Sequence, residues 1–280
     1  MRLLIVLPAV SLVLLGACGG GSTGFPDEDE GARNPPNAVA PLAPDYRAVF
    51  DCEARVQLSE LPIPVALQGT YTLENEGEQI AYPGDGSRRG WKVRSTLELQ
   101  VPAILRLQDP GIPASLTIVA REFIEVADDG SWYSLGAEIE DPLLDPPETT
   151  RTWWASPMKL LEPTMAARQV ITNPSTDVLD ETFTDVLGTR ASTRATAADT
   201  VVLDTPLGEI ECFRSEVDET LSGVLPGSLP VDIRTERWEH PDMGLIRLEV
   251  EGLSYDGEYD GQPITIEIDR LSCLIRSLEP

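Results

Sequence analysis

From Arg47 onward the chain alternates apolar and polar residues with a period of two, and it does so again and again. Ala48, Phe50, Cys52, Ala54, Val56 and Leu58 fall on one face of an extended segment, with Arg47, Asp51, Glu53, Arg55 and Gln57 on the other. Val65, Leu67, Tyr71 and Leu73 make a second such face. Val93, Leu97, Leu99 and Val101 make a third, after the Gly84-Asp85-Gly86 turn. Leu116 to Val126 and Trp132 to Ile139 flank Asp128-Asp129-Gly130 and read as a hairpin. Strands return at Thr200 to Leu203, Glu209 to Val217, Val231 to Trp238, Leu245 to Ser254 and Ile264 to Cys273. Turns lie between them at Pro206-Leu207-Gly208, Pro226-Gly227, Pro241 to Gly244 and Asp256 to Gly261.

One stretch does not follow the rule. Between Pro142 and Pro174 six prolines interrupt the pattern around Trp153-Trp154, and a short helix is predicted near Met165 to Val170; the segment reads as an irregular Pro-rich crossover or lid. The apolar parity also breaks at Cys212-Phe213 and between Ile268 and Leu271, which predicts β-bulges that bend the sheet. The expected fold is therefore all-β: one large curved antiparallel sheet, a half-open barrel, with at most one short helix. Residues 45–280 are enough for this single domain.

What precedes the domain is of a different kind. Met1-Arg2, an apolar run from Leu3 to Leu15, and then Leu15-Gly16-Ala17-Cys18 resemble the signal peptide and lipobox of a bacterial lipoprotein. The run is too short to span a bilayer as a helix. The resemblance implies removal of residues 1–17 and acylation of Cys18, making the lipid bilayer a partner. Gly19, in place of Asp, implies sorting to the outer membrane. Residues 18–44 are then the lipidated cysteine and a Gly/Pro/acidic tether, which as a flexible coil reaches roughly 25–30 Å.

The formal charge of −26 changes the choice of partners: an excess this large repels phosphate backbones, so nucleic acid is excluded. Export changes the reading of the cysteines, since disulfides form readily outside the cytoplasm. Three remain besides Cys18. Cys52 and Cys273 lie on apolar faces of the first and last strands, neighbours if the sheet curls toward closure, and that pair is preferred with Cys212 free. Cys212 bonded to either of the others is the rival, and three buried thiols are the third arrangement.

Thr205-Pro206-Leu207-Gly208-Glu209-Ile210-Glu211-Cys212-Phe213-Arg214, followed by Trp238-Glu239-His240-Pro241-Asp242-Met243-Gly244-Leu245-Ile246-Arg247, resembles a turn-and-strand pattern of uncharacterised bacterial envelope lipoproteins. The resemblance spans roughly residues 198–273 and implies a curved, half-open antiparallel barrel. Ile210 and Asp242 depart from the pattern, and no activity comes with it.

Candidate chemistry is sparse. His240 is the one histidine, which removes multi-histidine zinc sites and H-E-x-x-H, and neither a G-x-S-x-G elbow, a P-loop nor G-x-G-x-x-G occurs. No catalytic residue and no cofactor is assigned. Asp256, Glu258, Asp260 and Glu267 match the spacing of a calcium loop except for Glu258 at the third position, but strand alternation on both sides favours a polar hairpin over a metal site. Trp153 and Trp154 either line a cleft for an apolar ligand or fill the core. The function read from the chain is a membrane-anchored, non-enzymatic lipoprotein binding an apolar small molecule or an envelope protein. The alternatives are an interaction module with a solid core and an acidic face, and a hydrolase working through paired carboxylates.

Overall fold

The computed structural model describes residues 46–58, 64–103, 114–141, 148–162, 167–223, 231–259 and 262–279. The tether and Cys18 lie outside these described residues. Twelve strands follow one another: β1 (Arg47–Leu58), β2 (Val65–Ala81), β3 (Arg89–Gln100), β4 (Ser115–Val126), β5 (Trp132–Asp141), β6 (Glu148–Leu161), β7 (Val170–Leu179), β8 (Val186–Thr205), β9 (Gly208–Ser222), β10 (Val231–His240), β11 (Gly244–Tyr259) and β12 (Gln262–Glu279). Each pairs antiparallel with its neighbours in sequence, and β1 pairs with β12, so the sheet closes into a barrel. The sequence predicts a curved sheet with an open side; the β1–β12 ladder, running from Arg47 opposite Glu279 to Leu58 opposite Ile266, supplies the missing closure. Closure removes the free edges that an open sheet would expose.

The alternating apolar faces of β1, β2 and β3 point into one core, where Phe50, Tyr71, Leu73, Val93 and Leu97 pack with Trp132, Leu248 and Ile275. At twelve strands a barrel is wider than the small ones that side chains fill easily, so bulky residues are needed. A second, smaller cluster of Tyr82, Phe123, Leu135, Trp153 and Leu179 covers the opposite face of β4–β6. Both predicted parity breaks appear. Opposite Arg55 and Val56 the β12 partner steps from Arg270 to Ile268, leaving Asp269 as the extra residue. On β8 the partner of β9 jumps from Thr196 to Thr200 between Ser215 and Phe213.

The predicted crossover is corrected by the structure: most of residues 142–174 belongs to the wall, as β6 and the start of β7. Gly136 makes room for it, because a Cβ there would lie 2.4 Å from the Thr152 carbonyl oxygen and 2.9 Å from the Trp153 ring. The helix predicted near Met165 falls partly on 163–166, outside the described residues; Ala167 and Arg168 form a turn and Val170 already belongs to β7. The prolines still leave a mark. β6 and β7 share only two ladder pairs among the described residues, Trp153 with Leu179 and Trp154 with Val178. Pro157 and Pro174 carry no N–H to donate, and β6 and β7 part beside them. Side chains bridge the rest of the seam: Ser156 N donates to Thr176 Oγ1 at 2.9 Å, Lys159 N to Asn173 Oδ1 at 2.7 Å, and Asn173 Nδ2 to the Lys159 carbonyl at 2.8 Å.

Cys52 and Cys273 stand directly opposite each other on β1 and β12 and are disulfide-bonded, 221 residues apart in sequence. Cys212 is free and buried. In the chain-entropy picture so long a loop stabilises the fold by about 5 kcal/mol. Replacing both cysteines by serine is expected to lower the guanidinium unfolding free energy by about 2–5 kcal/mol, and reduction of the parent protein should reproduce the loss; equal midpoints for parent and double variant would show that the ladder alone closes the barrel.

Candidate functional site

Beside apolar Ile210, Cys212, Leu221 and Ile233, the inward positions of β8, β9 and β10 include charged and polar side chains. Where β1 places Phe50 and Cys52, β8 places Arg190 and Arg194, β9 places Glu219 and Ser215, and β10 places Arg237 and Glu239, all buried. Alternation with period two is preserved; only the chemistry of the inward face changes. Arg190 donates to Glu219 Oε2 at 2.8 Å, and Arg237 to Glu239 Oε1 at 2.6 Å. Arg194 bonds both Glu239 and the Ser215 hydroxyl. These pairs are charge-assisted, which is what makes their removal from water tolerable.

From the other half of the wall Glu122 of β4, Ser134 of β5 and Trp154 of β6 meet this cluster. The Arg190 guanidinium lies 4.7 Å from the centre of the Trp154 ring, and Trp154 Nε1 donates to Ser134 Oγ at 2.8 Å. Three arginines thus face three glutamates, and Glu122 is the one that no arginine bonds. It is 0% exposed and neither of its oxygens accepts a hydrogen bond in good geometry; Glu219 Oε1 and Arg190 Nε are likewise unpaired. Burial pushes the Glu122 carboxyl up to about 7, against the opposing pull of Arg190, Ser134 and Arg237, while Glu219 adds to the rise. No apolar periodicity announces this cluster. The signal available in the sequence is Arg190 and Arg194 four apart in an extended run, hence on one strand face.

The residues singled out in the sequence are dispersed. Trp153 and Trp154 face opposite ways, as strand neighbours must, and both are packed: Trp153, 2% exposed, tilts against Phe123 at 5.0 Å with Nε1 on the Glu181 carbonyl, and Trp154 is 1% exposed. Cys212 has its thiol pushed up to about 12 by burial, with Glu239 and Glu211 adding to it, which makes it an unreactive thiol. Asp256 and Glu258 lie on β11 and Glu267 on β12, while Asp260 lies outside the described residues. Backbone pairing of Asp256 with Thr265 and Glu258 with Pro263 makes this segment a hairpin rather than a loop between helices. Among the described residues no three His, Cys, Asp or Glu side chains gather in a metal-binding arrangement. His240 ends β10, and its Nδ1 accepts from Asp242 N at 3.2 Å, a turn contact. Cys18, the predicted lipidation site, lies outside the described residues.

On the outer wall an open groove of about 490 Å³ runs across β9, β10 and β11, its outward positions being Asp218, Thr220, Asp232, Arg234 and Glu251. Asp232 accepts from Thr220 at 2.7 Å, and Arg234 pairs with Glu216 at 2.7 Å. Acidic groups outnumber the single cation of this groove.

No known protein family matches the chain, and no curated protein does. Among solved structures it is similar to one from Bacteroides fragilis, described as an exported protein with a YmcC-like fold: TM-score 0.36, 11% identity, 85% of this chain and 96% of that chain covered. It is similar also to one from Parabacteroides distasonis, described as a lipoprotein: TM-score 0.34, 12% identity, 84% and 96% covered. Likeness at this level transfers nothing about what either protein does.

Removing one member of a buried ion pair leaves the other uncompensated. Arg190→Leu is therefore expected to cost about 3–5 kcal/mol in guanidinium unfolding, and the Arg190→Leu/Glu219→Leu double variant much less than that. A single variant within about 1 kcal/mol of the parent would show the pair to be solvated rather than sealed.

Proposed function

We propose that this chain is a lipid-anchored protein of the bacterial envelope that acts by binding an envelope partner and performs no catalysis. The observation that carries this reading is the filling of the barrel: the described inward face is occupied by packed apolar side chains and by ions that neutralise one another. Recognition then falls to the outer wall, with its acidic groove over β9–β11. An apolar ligand held by Trp153 and Trp154 requires one of two packed rings to leave its place, so we rank that second. The hydrolase reading fares worse still, because the buried carboxylates are bound to arginines or, for Glu122, shut away from solvent.

The anchor is Cys18 at the end of the Leu15-Gly16-Ala17-Cys18 lipobox, and Gly19 favours the outer membrane. More than one acyl chain on Cys18 gives stable attachment, since each buried methylene contributes about 0.8 kcal/mol. The tether holds the barrel clear of the headgroups. Its far end is fixed, as Tyr46, just ahead of β1, donates its hydroxyl to the Met243 carbonyl in the β10–β11 turn at 3.1 Å.

Cys18→Ser is expected to move the protein from the detergent phase to the aqueous phase on Triton X-114 partitioning and to leave the precursor at its unprocessed size. Unchanged partitioning would overturn the anchor. Mass spectrometry of the purified acylated parent is expected to find the covalent acyl chains and no stoichiometric non-covalent apolar compound; recovery of such a compound would overturn the outer-wall reading in favour of an interior ligand.

A further inference from the structure

In the strand order of the barrel the β6–β7 seam lies diametrically opposite the β1–β12 seam, with β1–β6 forming one half of the wall and β7–β12 the other. The two seams are unlike. β1 and β12 share a long ladder and a disulfide. Among the described residues β6 and β7 share two ladder pairs and three side-chain-to-backbone hydrogen bonds, two of them made by Asn173 alone, with Trp153 packed against Leu179 and bonded to the Glu181 carbonyl just beyond β7. The ions of the interior cluster divide along the same line. The β7–β12 half carries Arg190, Arg194 and Arg237 against Glu219 and Glu239, and the β1–β6 half answers with Glu122. Trp154, the last laddered residue of β6, is held from its own half by Ser134 and from the other half by Arg190, and both holders also face Glu122.

We infer that the barrel is a clamshell, hinged along the disulfide-bonded β1–β12 seam and opening along β6–β7, with the Glu122 carboxylate, which no arginine bonds, as the latch that sets how readily it opens. The charged and polar groups facing Glu122 are Arg190 from β8, Glu219 from β9, Arg237 from β10 and Ser134 from β5. Arg194 and Glu239 are bound to each other one step farther along. Ionised Glu122 has no arginine bonded to it and at most the Ser134 hydroxyl to offset its loss of water, and it competes with Glu219 and Trp154 for Arg190. Opening the seam hydrates the carboxylate, at the cost of two ladder pairs, the side-chain bridges, the Trp153 contacts with Leu179 and the Glu181 carbonyl, and exposure of the apolar core beside it. Protonated Glu122 gains nothing comparable from water, so the closed form holds. The attraction between ionised Glu122 and the net positive half opposes this, but burial is the larger effect, as the upward displacement of the carboxyl records. The sign follows: a raised carboxyl stabilises the closed form fully below the ordinary carboxylate range, and that contribution is lost as pH rises toward and through 7. Opening presents Trp154, Arg190 and Glu122 together on a wet surface, a further contact face for a partner, and it does not depend on the anchor.

The test is hydrogen exchange on the full acylated chain in detergent micelles, at pH 6 and pH 8, with intrinsic rates corrected. Peptides covering 155–161 and 170–177 are expected to be less protected than the β2–β3 ladder at both pH values. They should lose about a further tenfold of protection at pH 8, while the β1–β12 peptides do not change. Glu122→Gln should abolish the pH response of the seam, and Asn173→Ala should raise seam exchange at both pH values without altering β2–β3. Seam protection equal to that of β2–β3, a pH response shared by the whole barrel, or the same response in Glu122→Gln would overturn the inference.

Discussion

Six ionisable side chains sealed inside a closed β wall are the constraint to which the rest of the structure answers. Charge taken out of water costs several kcal/mol per ion unless it is paired in good geometry. The barrel meets this cost by register: Arg190 and Glu219 on adjacent strands β8 and β9 reach each other directly, and Glu239, on the same strand face as Arg237, also takes Arg194 from β8. An interior of this kind fixes which strands must be neighbours. A slip of one residue in β8 would turn both arginines outward, leaving Glu219 buried without its arginine and Glu239 with Arg237 alone.

Width follows from the same constraint. A twelve-strand barrel has more interior than aliphatic side chains fill, and long arginines with a tryptophan stacked on one of them span it where leucines would leave voids. The apolar half built on Phe50, Tyr71 and Leu97 and the ionic half built on Arg190 and Arg237 are two solutions to one filling problem. Glu122 stands where the two solutions meet, and there the pairing is incomplete.

The sequence reveals the β1–β5 and β9–β12 strands well, because enough apolar residues alternate along each of them for the period to be visible despite the polar inward positions of β4, β9 and β10. It hides the first part of β8, Val186 to Asp199, because the inward positions there are arginine and threonine, so no apolar period exists to be read. β6 and β7 are hidden for a second reason: Pro157 and Pro174 look like breaks, and they are breaks in the ladder, but the chain runs on extended through both. The interior cluster is illegible on the same grounds as β8, since its members come from β4, β8, β9 and β10 and no local spacing joins Glu122 to Arg190. Cys52 and Cys273 were readable because each sits at an apolar position of a terminal strand, and closure makes those strands neighbours.

Strength and weakness in the wall are thus placed by covalent and local chemistry. The disulfide and the longest-range ladder lie on one side, joining strands that loop entropy would otherwise keep apart. On the other side two prolines withhold backbone donors from strands that are close neighbours in sequence, where re-closure has little entropy to overcome. A seam between sequence neighbours is cheap to re-form after opening, whereas a β1–β12 seam once lost has more than two hundred residues to bring back together. The division of labour is what a barrel needs if it is to open repeatedly without unfolding: the expensive closure is locked, and the inexpensive one is left to side chains.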